Sequence, residues 1–215
     1  EAHCGGVRPR LEVALYEYGN NSLSAESGYI REVCQFTGDL DLISENLFSL
    51  RTNGGDEYCG AVIDRALRAL AWSRRPDDLR MIFIAGNEPF TQGPVDFRPV
   101  VRRAAARGIS VNTIFCGPAH EGVATNWKDG ATLAGGSYAS INQDRILPRI
   151  DAPHDRELAL LNDKLNKTYF AYGTAGVEGR QMQTAQDSNA AAAAPSSFAG
   201  RIRAKASSAY SNSRW

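Results

Sequence analysis

The chain has 215 residues, the length of one domain or of one domain with a short extension. Its 24 Lys and Arg residues balance its 24 Asp and Glu residues, which gives zero net charge. A surface for nucleic acid or for an anionic membrane needs a basic excess, so the charge argues against both partners. No apolar run approaches the roughly 20 residues that span a bilayer, which predicts no membrane insertion. Because the sequence starts at Glu1 rather than at Met and stops at Trp215, we expect a fragment or a processed product.

Two β-rich segments near the start of the chain are predicted to form an antiparallel hairpin. They cover residues 11–18 and 29–36, and the turn-forming residues 19–22 follow the first of them. Residues 40–50 then have apolar side chains at helical spacing, which predicts a helix before the Gly54-Gly55 pair.

Helical and strand-like segments alternate from Gly55 to about Asn142. Residues 79–86 and 109–116 are nearly continuous apolar runs, typical of parallel strands that are buried on both faces. Helices are predicted over 97–107, with Gly108 as the C-terminal cap, and over 127–134, and a short strand over 137–142. This alternation predicts an α/β fold with a mostly parallel sheet.

The clearest helix of the sequence begins near Cys59. Its apolar residues lie on one stripe of an amphipathic helix, at i, i+3, i+4, i+7, i+8 and i+11. Asp56 and Glu57 are predicted to lie in its first turn, where the helix dipole favours negative charge. The stripe consists of Cys59, Val62, Ile63, Ala66, Leu67 and Leu70.

The carboxyl-terminal part of the chain has a different character. Residues 155–170 have leucines at helical spacing, and Gly173 and Gly176 are expected to end that helix. Residues 187–194 have high helix propensity, with Pro195 as the stop. Arg201, Arg203 and Lys205 are expected on a solvated helix face. We therefore predict two parts: a domain over 1–150 and a helical, partly low-complexity extension over 151–215.

Two polar, glycine-containing loops are candidates for a site. In an open parallel sheet, ligands bind outside the carboxyl ends of the strands, where both loops are expected. Asp56 and Glu57 precede the strong helix, and Asn87 and Glu88 follow the apolar run 79–86. Their oxygens are the ligand type that Mg²⁺ prefers. The alternative is purely structural, with Asp56 and Glu57 serving a helix start and Asn87 a turn.

Enzyme signatures are mostly missing from the sequence. There is no GxGxxG after a strand, no GxxxxGK[ST] and no GxSxG motif. Cys116 and His120 are four residues apart, but a nucleophile and its base usually come from separate elements. The cysteines are predicted to be small buried hydrophobic residues, because no spacing is typical of zinc or redox chemistry.

Several segments together resemble a bacterial group of von Willebrand factor type A (vWA) domain proteins. The similarity extends over about residues 7–144, and its combination of short motifs is more specific than any one of them. The motifs are TNGGDEYCG at 52–60, WS at 72–73, IAGNEPF at 84–90, VNTIFCG at 111–117, Trp127, and AGGSY at 134–138.

The resemblance implies a Rossmann-like sheet of strand order 3-2-1-4-5-6 with helices on both faces. It also implies a metal-ion-dependent adhesion site at the carboxyl edge of that sheet. The first strand and its Asp-x-Ser-x-Ser loop are absent from this chain, so the chain is similar to a domain truncated at its amino terminus. The remaining candidate ligands, Asp56, Glu57, Asn87 and Glu88, are therefore expected to bind Mg²⁺ or Mn²⁺ weakly or not at all.

The resemblance also implies a function without catalysis. The first hypothesis is an adhesion-type module that binds a protein partner, with metal dependence in the intact protein. The second is a metal-independent scaffold domain of a larger protein, and the third is a small thiol enzyme using Cys116. The bacterial group implies a periplasmic or extracellular location. The strand 11–18 is further expected either to pair directly with the strand 79–86 or to leave a slot that another segment fills.

Overall fold

The structure is a computed structural model that describes residues 10–51, 53–142 and 154–206. These residues form five strands, eight helices and one short 3-10 turn at Ala25–Ser27. The strands are β1 (Val13–Tyr18), β2 (Ile30–Thr37), β3 (Arg80–Gly86), β4 (Ile109–Phe115) and β5 (Tyr138–Ser140). The helices are α1 (Leu40–Ser49), α2 (Cys59–Ala69), α3 (Phe97–Ala106), α4 (Ala119–Ala124), α5 (Trp127–Thr132), α6 (Asp155–Lys167), α7 (Gly173–Ala193) and α8 (Pro195–Ala206).

The predicted α/β class is confirmed. Strands β3, β4 and β5 form a parallel sheet in that order, and β1 and β2 form a separate two-stranded hairpin. Ile82 is paired with Val111 and Ile84 with Thr113, which fixes the register of β3 against β4. Among the described residues, β1 and β3 belong to different sheets, so of the two expected alternatives the direct pairing of these strands is not observed.

The described residues divide into two compact units. A sheet unit contains residues 16–33, 51 and 53–142, and a helical unit contains residues 10–15, 34–50 and 154–206. The division passes through β1 and β2, so α1 belongs to the same unit as α6, α7 and α8.

The core of the sheet unit forms around α2, as the sequence predicts. Cys59, Ile63 and Leu67 on its apolar stripe are at most 1% exposed. Burial of one such aliphatic side chain contributes about 1.5–3 kcal/mol to stability. The stripe packs with apolar residues of α3, α5 and the sheet, namely Phe97, Val101, Val111, Phe115 and Trp127.

Strand β3 is buried on one face only. Ile84 is buried, whereas Met81 is 41% exposed and Phe83 65% exposed on the opposite face. The expectation that the run 79–86 is buried on both faces is therefore wrong. A continuous apolar run shows that both faces avoid polar residues, but it does not show that each face is covered.

The interior of the helical unit contains charged side chains. Arg201 of α8 makes ion pairs with Asp41 of α1 (2.8 Å) and with Asp187 of α7 (2.6 Å). The Lys205 side chain is 2% exposed, and its ammonium donates to Asp187 and to the amide oxygens of Asn162 and Asn166 at 2.6–2.8 Å. We call Asp41, Asp187, Arg201 and Lys205 the charge network. The expectation that Arg201 and Lys205 lie on a solvated face is wrong, because paired charges can be buried.

The helix boundaries of this unit also differ from the prediction. Gly173 begins α7 and Gly176 lies within it, so neither glycine ends a helix here. Pro195 does not only end α7, because it is also the first residue of α8. The first helical position has no intrahelical use for a backbone N–H, which is why proline is tolerated there.

Among the described helices, none combines the length and the apolar character that crossing a bilayer requires. Helix α4 was not predicted, since its residues follow a Gly-Pro pair and lack a clear apolar period. The division into parts at residue 150 stays a prediction.

Candidate functional site

The two candidate loops meet at the carboxyl end of β3. Oε2 of Glu57 accepts hydrogen bonds from the backbone N–H groups of Asn87 (3.0 Å) and Glu88 (3.3 Å). These residues follow the last residue of β3, Gly86, and Glu57 lies two residues before the start of α2. Glu57 therefore does not lie in the first turn of the helix, and its carboxylate holds the second loop instead.

Gln92 fastens the same two loops at a second point. Its side-chain oxygen accepts from the backbone N–H of Glu57 (2.6 Å), and its amide nitrogen donates to Asp56 (3.2 Å). Asp56 also accepts a hydrogen bond from the hydroxyl of Tyr58 (3.0 Å). Sequence reasoning missed Gln92, because a single glutamine in a Pro- and Gly-containing loop belongs to no recognisable pattern.

Two glycines make room for the Glu57 side chain. A Cβ atom at Gly86 would collide with Oε2 of Glu57, and one at Gly19 would lie 2.6 Å from its Cγ. Gly19 also has φ +75°, a left-handed conformation that favours glycine. The Glu57 side chain therefore lies between two positions where a larger residue would push against it.

Buried aromatic residues fix the loop that follows β3 to the core. Phe90 and Trp127 are fully buried with ring centroids 4.9 Å apart, and the Trp127 indole N–H donates to the carbonyl of Glu88 (2.8 Å). The backbone N–H of Phe90 donates to the carbonyl of Thr125 (3.0 Å). Aromatic pairs of this geometry add about 0.5–1.5 kcal/mol beyond their burial. The loop is thus fixed to the core of the sheet unit rather than only to solvent-exposed neighbours.

The environment of Glu57 disfavours its charged form. Burial raises the pKa of this carboxyl above its ordinary value, and the nearby Glu88 carboxylate acts in the same direction. The hydrogen bonds from the N–H groups of Asn87 and Glu88 oppose that shift without cancelling it. At the same edge of the sheet, Asp56 and Asn87 are exposed and Glu88 is half-buried.

Tyr18 of β1 and Cys59 of α2 lie close to the end of β3. The Tyr18 hydroxyl donates to the carbonyl of Ala85 (2.6 Å) and lies 3.8 Å from the Cys59 sulfur. Burial raises the pKa of both the Tyr18 hydroxyl and the Cys59 thiol. A thiol held in its neutral form is a poor nucleophile, and Cys59, which is 0% exposed, packs in the core of the sheet unit.

The second cysteine considered for chemistry lies after β4. Cys116 is half-buried, and its backbone N–H donates to the carbonyl of Gly86 (2.7 Å), which links the ends of β4 and β3. His120 is exposed in α4. The loop that contains Cys116 therefore belongs to the same edge of the sheet as Glu57.

The four candidate metal ligands do not fit a divalent cation well. Oε2 of Glu57 is directed at two backbone N–H groups, and both oxygens of Asp56 accept hydrogen bonds within the protein. A cation site needs several oxygens free to converge on one point. Over the described ranges, no group of three or more His, Cys, Asp or Glu residues is placed to hold a metal ion.

Comparisons with known proteins concern the fold. Neither a protein-family model nor a curated protein matches this sequence. Among solved structures, the chain is similar to the VWA domain of SpRpn10, at 16% identity and a TM-score of 0.47, over 73% of this chain and 71% of that one. It is also similar to the conserved hypothetical protein BatB of Bacteroides thetaiotaomicron (14%, TM-score 0.44, 72% and 78%). A third similar structure is an aerotolerance-related membrane protein of Bacteroides fragilis (16%, TM-score 0.40, 73% and 79%). On its own strand order and helix positions, this chain has an α/β fold with a parallel β3–β4–β5 sheet and a separate β1–β2 hairpin.

Proposed function

We propose that the chain is a non-enzymatic protein-binding module whose partner binds the carboxyl edge of the β3–β4–β5 sheet. The observation that carries this proposal is the fastening of the two edge loops by Glu57 and Gln92. A surface that is held rigid before binding loses less conformational entropy when a partner binds.

The chemistry of the edge indicates the kind of partner. Asp56 and Asn87 are exposed, and Glu88 is half-buried beside the partly buried carboxylate of Glu57. These oxygens accept hydrogen bonds and attract positive charge. The proposed partner segment therefore presents Lys, Arg or backbone N–H groups to this edge.

Metal ions have a minor part in this proposal. The four candidate ligands are proposed to bind Mg²⁺ or Mn²⁺ weakly at most, since the hydrogen bonds of Asp56 and Glu57 would have to break first. Titration calorimetry with MgCl₂ and MnCl₂ tests this directly. A saturable site of micromolar affinity would contradict it, and heats no larger than those of dilution are expected.

The proposal is tested by reversing the charge and shape of the edge. Asp56→Arg and Asn87→Arg are expected to abolish co-purification of partner proteins from the source cells. Asp77→Arg is the matched control, because Asp77 is equally exposed but precedes β3 and so lies at the opposite edge. Loss of the same partners with Asp77→Arg, and their retention with the two edge variants, would overturn the assignment of the edge.

The exposed face of β3 supports a second candidate, a metal-independent scaffold domain. Leu79 is 80% exposed and Phe83 65% exposed, and apolar side chains on a parallel strand are typically covered in the complete assembly. Partner association that survives EDTA but is lost with Phe83→Ser would favour the scaffold over the edge-binding module.

The resemblance to bacterial vWA proteins is also the support for a proposed location in the periplasm or outside the cell. Fusion of the natural full-length protein to a reporter that is active only after export tests that location. A fusion that shows no activity of this reporter, but full activity of a second reporter that works only in the cytoplasm, would contradict it.

A further inference from the structure

A cleft with an apolar floor and a charged rim lies in the sheet unit, away from the loops at the end of β3. Its volume is about 430 Å³, and it lies between helix α2 and the turn that leads into β2. The lining residues are Ser27, Ile30, Ala61, Arg65, Arg68 and Ala69. None of these residues belongs to the candidate site described above.

The floor of the cleft is apolar and fixed. Ile30 is 4% exposed and belongs to the core of the sheet unit, and Ala61 packs against that core. The Ser27 side chain is held by a hydrogen bond to the carbonyl of Ser24 (2.7 Å). An apolar group that enters the cleft therefore meets a preformed surface, which lowers the entropic cost of binding.

The rim of the cleft has an excess of positive charge. Arg65 and Arg68 are three residues apart on α2, so their side chains lie on the same face of the helix. The Asp64 carboxylate is shared between Arg68 and Arg103, and therefore does not neutralise both. Arg65 has no ion-pair partner within the part of the chain that the structure describes.

Tyr16 connects a further carboxylate, Glu32, with the neighbourhood of Arg65. The Tyr16 hydroxyl donates to Glu32 (2.6 Å), and Arg65 is close enough to Tyr16 to act on its ionisation. Burial and the Glu32 contact nevertheless raise the pKa of Tyr16 to about 12, so Tyr16 is neutral at physiological pH. Of the two guanidiniums that line the cleft, Arg68 is paired with Asp64, whereas Arg65 makes no ion pair among the described residues and keeps its positive charge at the rim.

We propose that this cleft binds a carboxylate on an apolar stem, supplied by an acidic segment of a protein partner. The carboxylate pairs with the Arg65 guanidinium, with Arg68 as a second donor, and the neighbouring apolar side chain packs on Ile30 and Ala61. A guanidinium can donate two parallel hydrogen bonds to one carboxylate, which gives geometric selectivity. The apolar floor favours a peptide over inorganic phosphate, which has no apolar part to bury. This second contact does not depend on the proposed use of the sheet edge.

The test uses two blocked peptides that differ in one charge. Acetyl-Leu-Asp-Leu-amide and acetyl-Leu-Asn-Leu-amide are titrated into the ¹⁵N-labelled chain while amide signals are followed by NMR. Binding of the Asp peptide is expected to shift the signals of Ile30, Ala61 and Ala69, with about tenfold weaker binding of the Asn peptide. A hydrogen bond to a charged group contributes about 1.5–3 kcal/mol, and 1.4 kcal/mol corresponds to a factor of ten.

Two variants assign the effect to the cleft. Arg65→Gln is expected to weaken binding of the Asp peptide about tenfold, and Arg68→Gln less, because Arg68 already pairs with Asp64. Arg75→Gln is the matched control, because Arg75 is also largely exposed but does not line the cleft. Unchanged melting curves for the Arg65 variant would show that it folds.

Three results would overturn the proposal. The first is equal affinity for the two peptides, and the second is equal weakening by Arg65→Gln and Arg75→Gln. The third is binding of inorganic phosphate at these amides without binding of the Asp peptide.

Discussion

The two units of the molecule fill their interiors with different kinds of side chains. In the sheet unit, the largest fully buried side chains are apolar, among them Trp127, Phe90 and Phe97. In the helical unit, the buried side chains include the charged Asp41, Asp187 and Lys205. An apolar interior tolerates a lost partner at the cost of a cavity, whereas a charge network leaves an unpaired buried charge. The difference predicts that the helical unit responds more strongly to the loss of one group.

The largest effect is expected for Asp187→Ala. This variant removes the carboxylate that pairs with both Arg201 and Lys205, and leaves the buried Lys205 without a counterion of its own. Breaking a buried ion pair costs about 3–5 kcal/mol, and we expect a loss of that order in chemical denaturation. The double variant Asp187→Leu with Lys205→Met is the control, because it removes both charges of one pair. If the double variant were as unstable as the single one, the network would not act as a set of coupled charges.

Acid is also expected to destabilise the helical unit more than the sheet unit. Burial disfavours the Asp187 carboxylate, but hydrogen bonds from Lys205, Asn162, Asn166 and Arg201 outweigh this and lower its pKa. A lowered folded-state pKa contributes stability that is complete above the ordinary value near 3.8 and is lost as the pH falls through the folded-state pKa.

The pKa of Glu57 is shifted in the opposite direction to that of Asp187. Its pKa is raised in the folded state, so protonation below that pKa favours the folded form relative to neutral pH. Hydrogen exchange between pH 5 and pH 2.5 is therefore expected to report opening of α8 before opening of the loop at Asn87. The reverse order would contradict these two shifts.

A matched pair of glycine variants compares packing in the two units. A Cβ at Gly60 in α2 would collide with the carbonyl of Val95, whereas a Cβ at Gly200 in α8 would have nothing within 4 Å. Gly60→Ala is expected to destabilise the sheet unit by about 1–3 kcal/mol through overpacking. Gly200→Ala is expected to stabilise the helical unit by about 0.5–1 kcal/mol, since alanine is the better helix former. Equal effects in thermal melting would contradict the difference in packing.

The smallest effect on stability is expected for Gln92→Leu. It leaves the backbone N–H of Glu57 and one oxygen of Asp56 without their partner, at a cost of about 1 kcal/mol because both groups are partly solvated. The free energy of partner binding is expected to fall by more than the free energy of unfolding, because the two loops are then held by Glu57 alone. Thr91→Ala, on the neighbouring exposed residue, is the control. Full binding by Gln92→Leu would show that fastening of the loops does not matter.

The sequence is informative where burial follows a period. The stripe from Cys59 to Leu70 predicted α2, and the apolar runs predicted β3 and β4, because these elements bury side chains at regular spacing. Burial of Arg201 and Lys205 could not be predicted, since a buried pair and a solvated charge look alike in one sequence. The length of α7 was underestimated because Gly173 and Gly176 were interpreted as helix breakers, and the sequence does not show how they pack.

The candidate site was predicted only in outline. The sequence placed Glu57 and Asn87 on two loops at one edge of a sheet, and the structure joins these loops by a hydrogen bond. The role of Glu57 differs from the predicted one, because its carboxylate binds backbone N–H groups of the second loop and does not stabilise the start of a helix. Gln92, which was not predicted, adds a second hydrogen bond between the loops. Which groups a side chain meets across 30 residues depends on loop conformation, and no local pattern specifies it.

Site-specific photo-crosslinking tests the proposed binding edge most directly. A photoreactive benzoylphenylalanine is placed at the exposed Asn87 and, as the matched position at the opposite edge, at the exposed Asp77. The full-length protein is then irradiated in its own cells, and crosslinked partners are identified by mass spectrometry. We expect a discrete protein adduct at position 87 that is lost with Asp56→Arg, and no adduct of that mass at position 77. The same adduct at position 77, with none at position 87, would contradict the assignment of the binding edge.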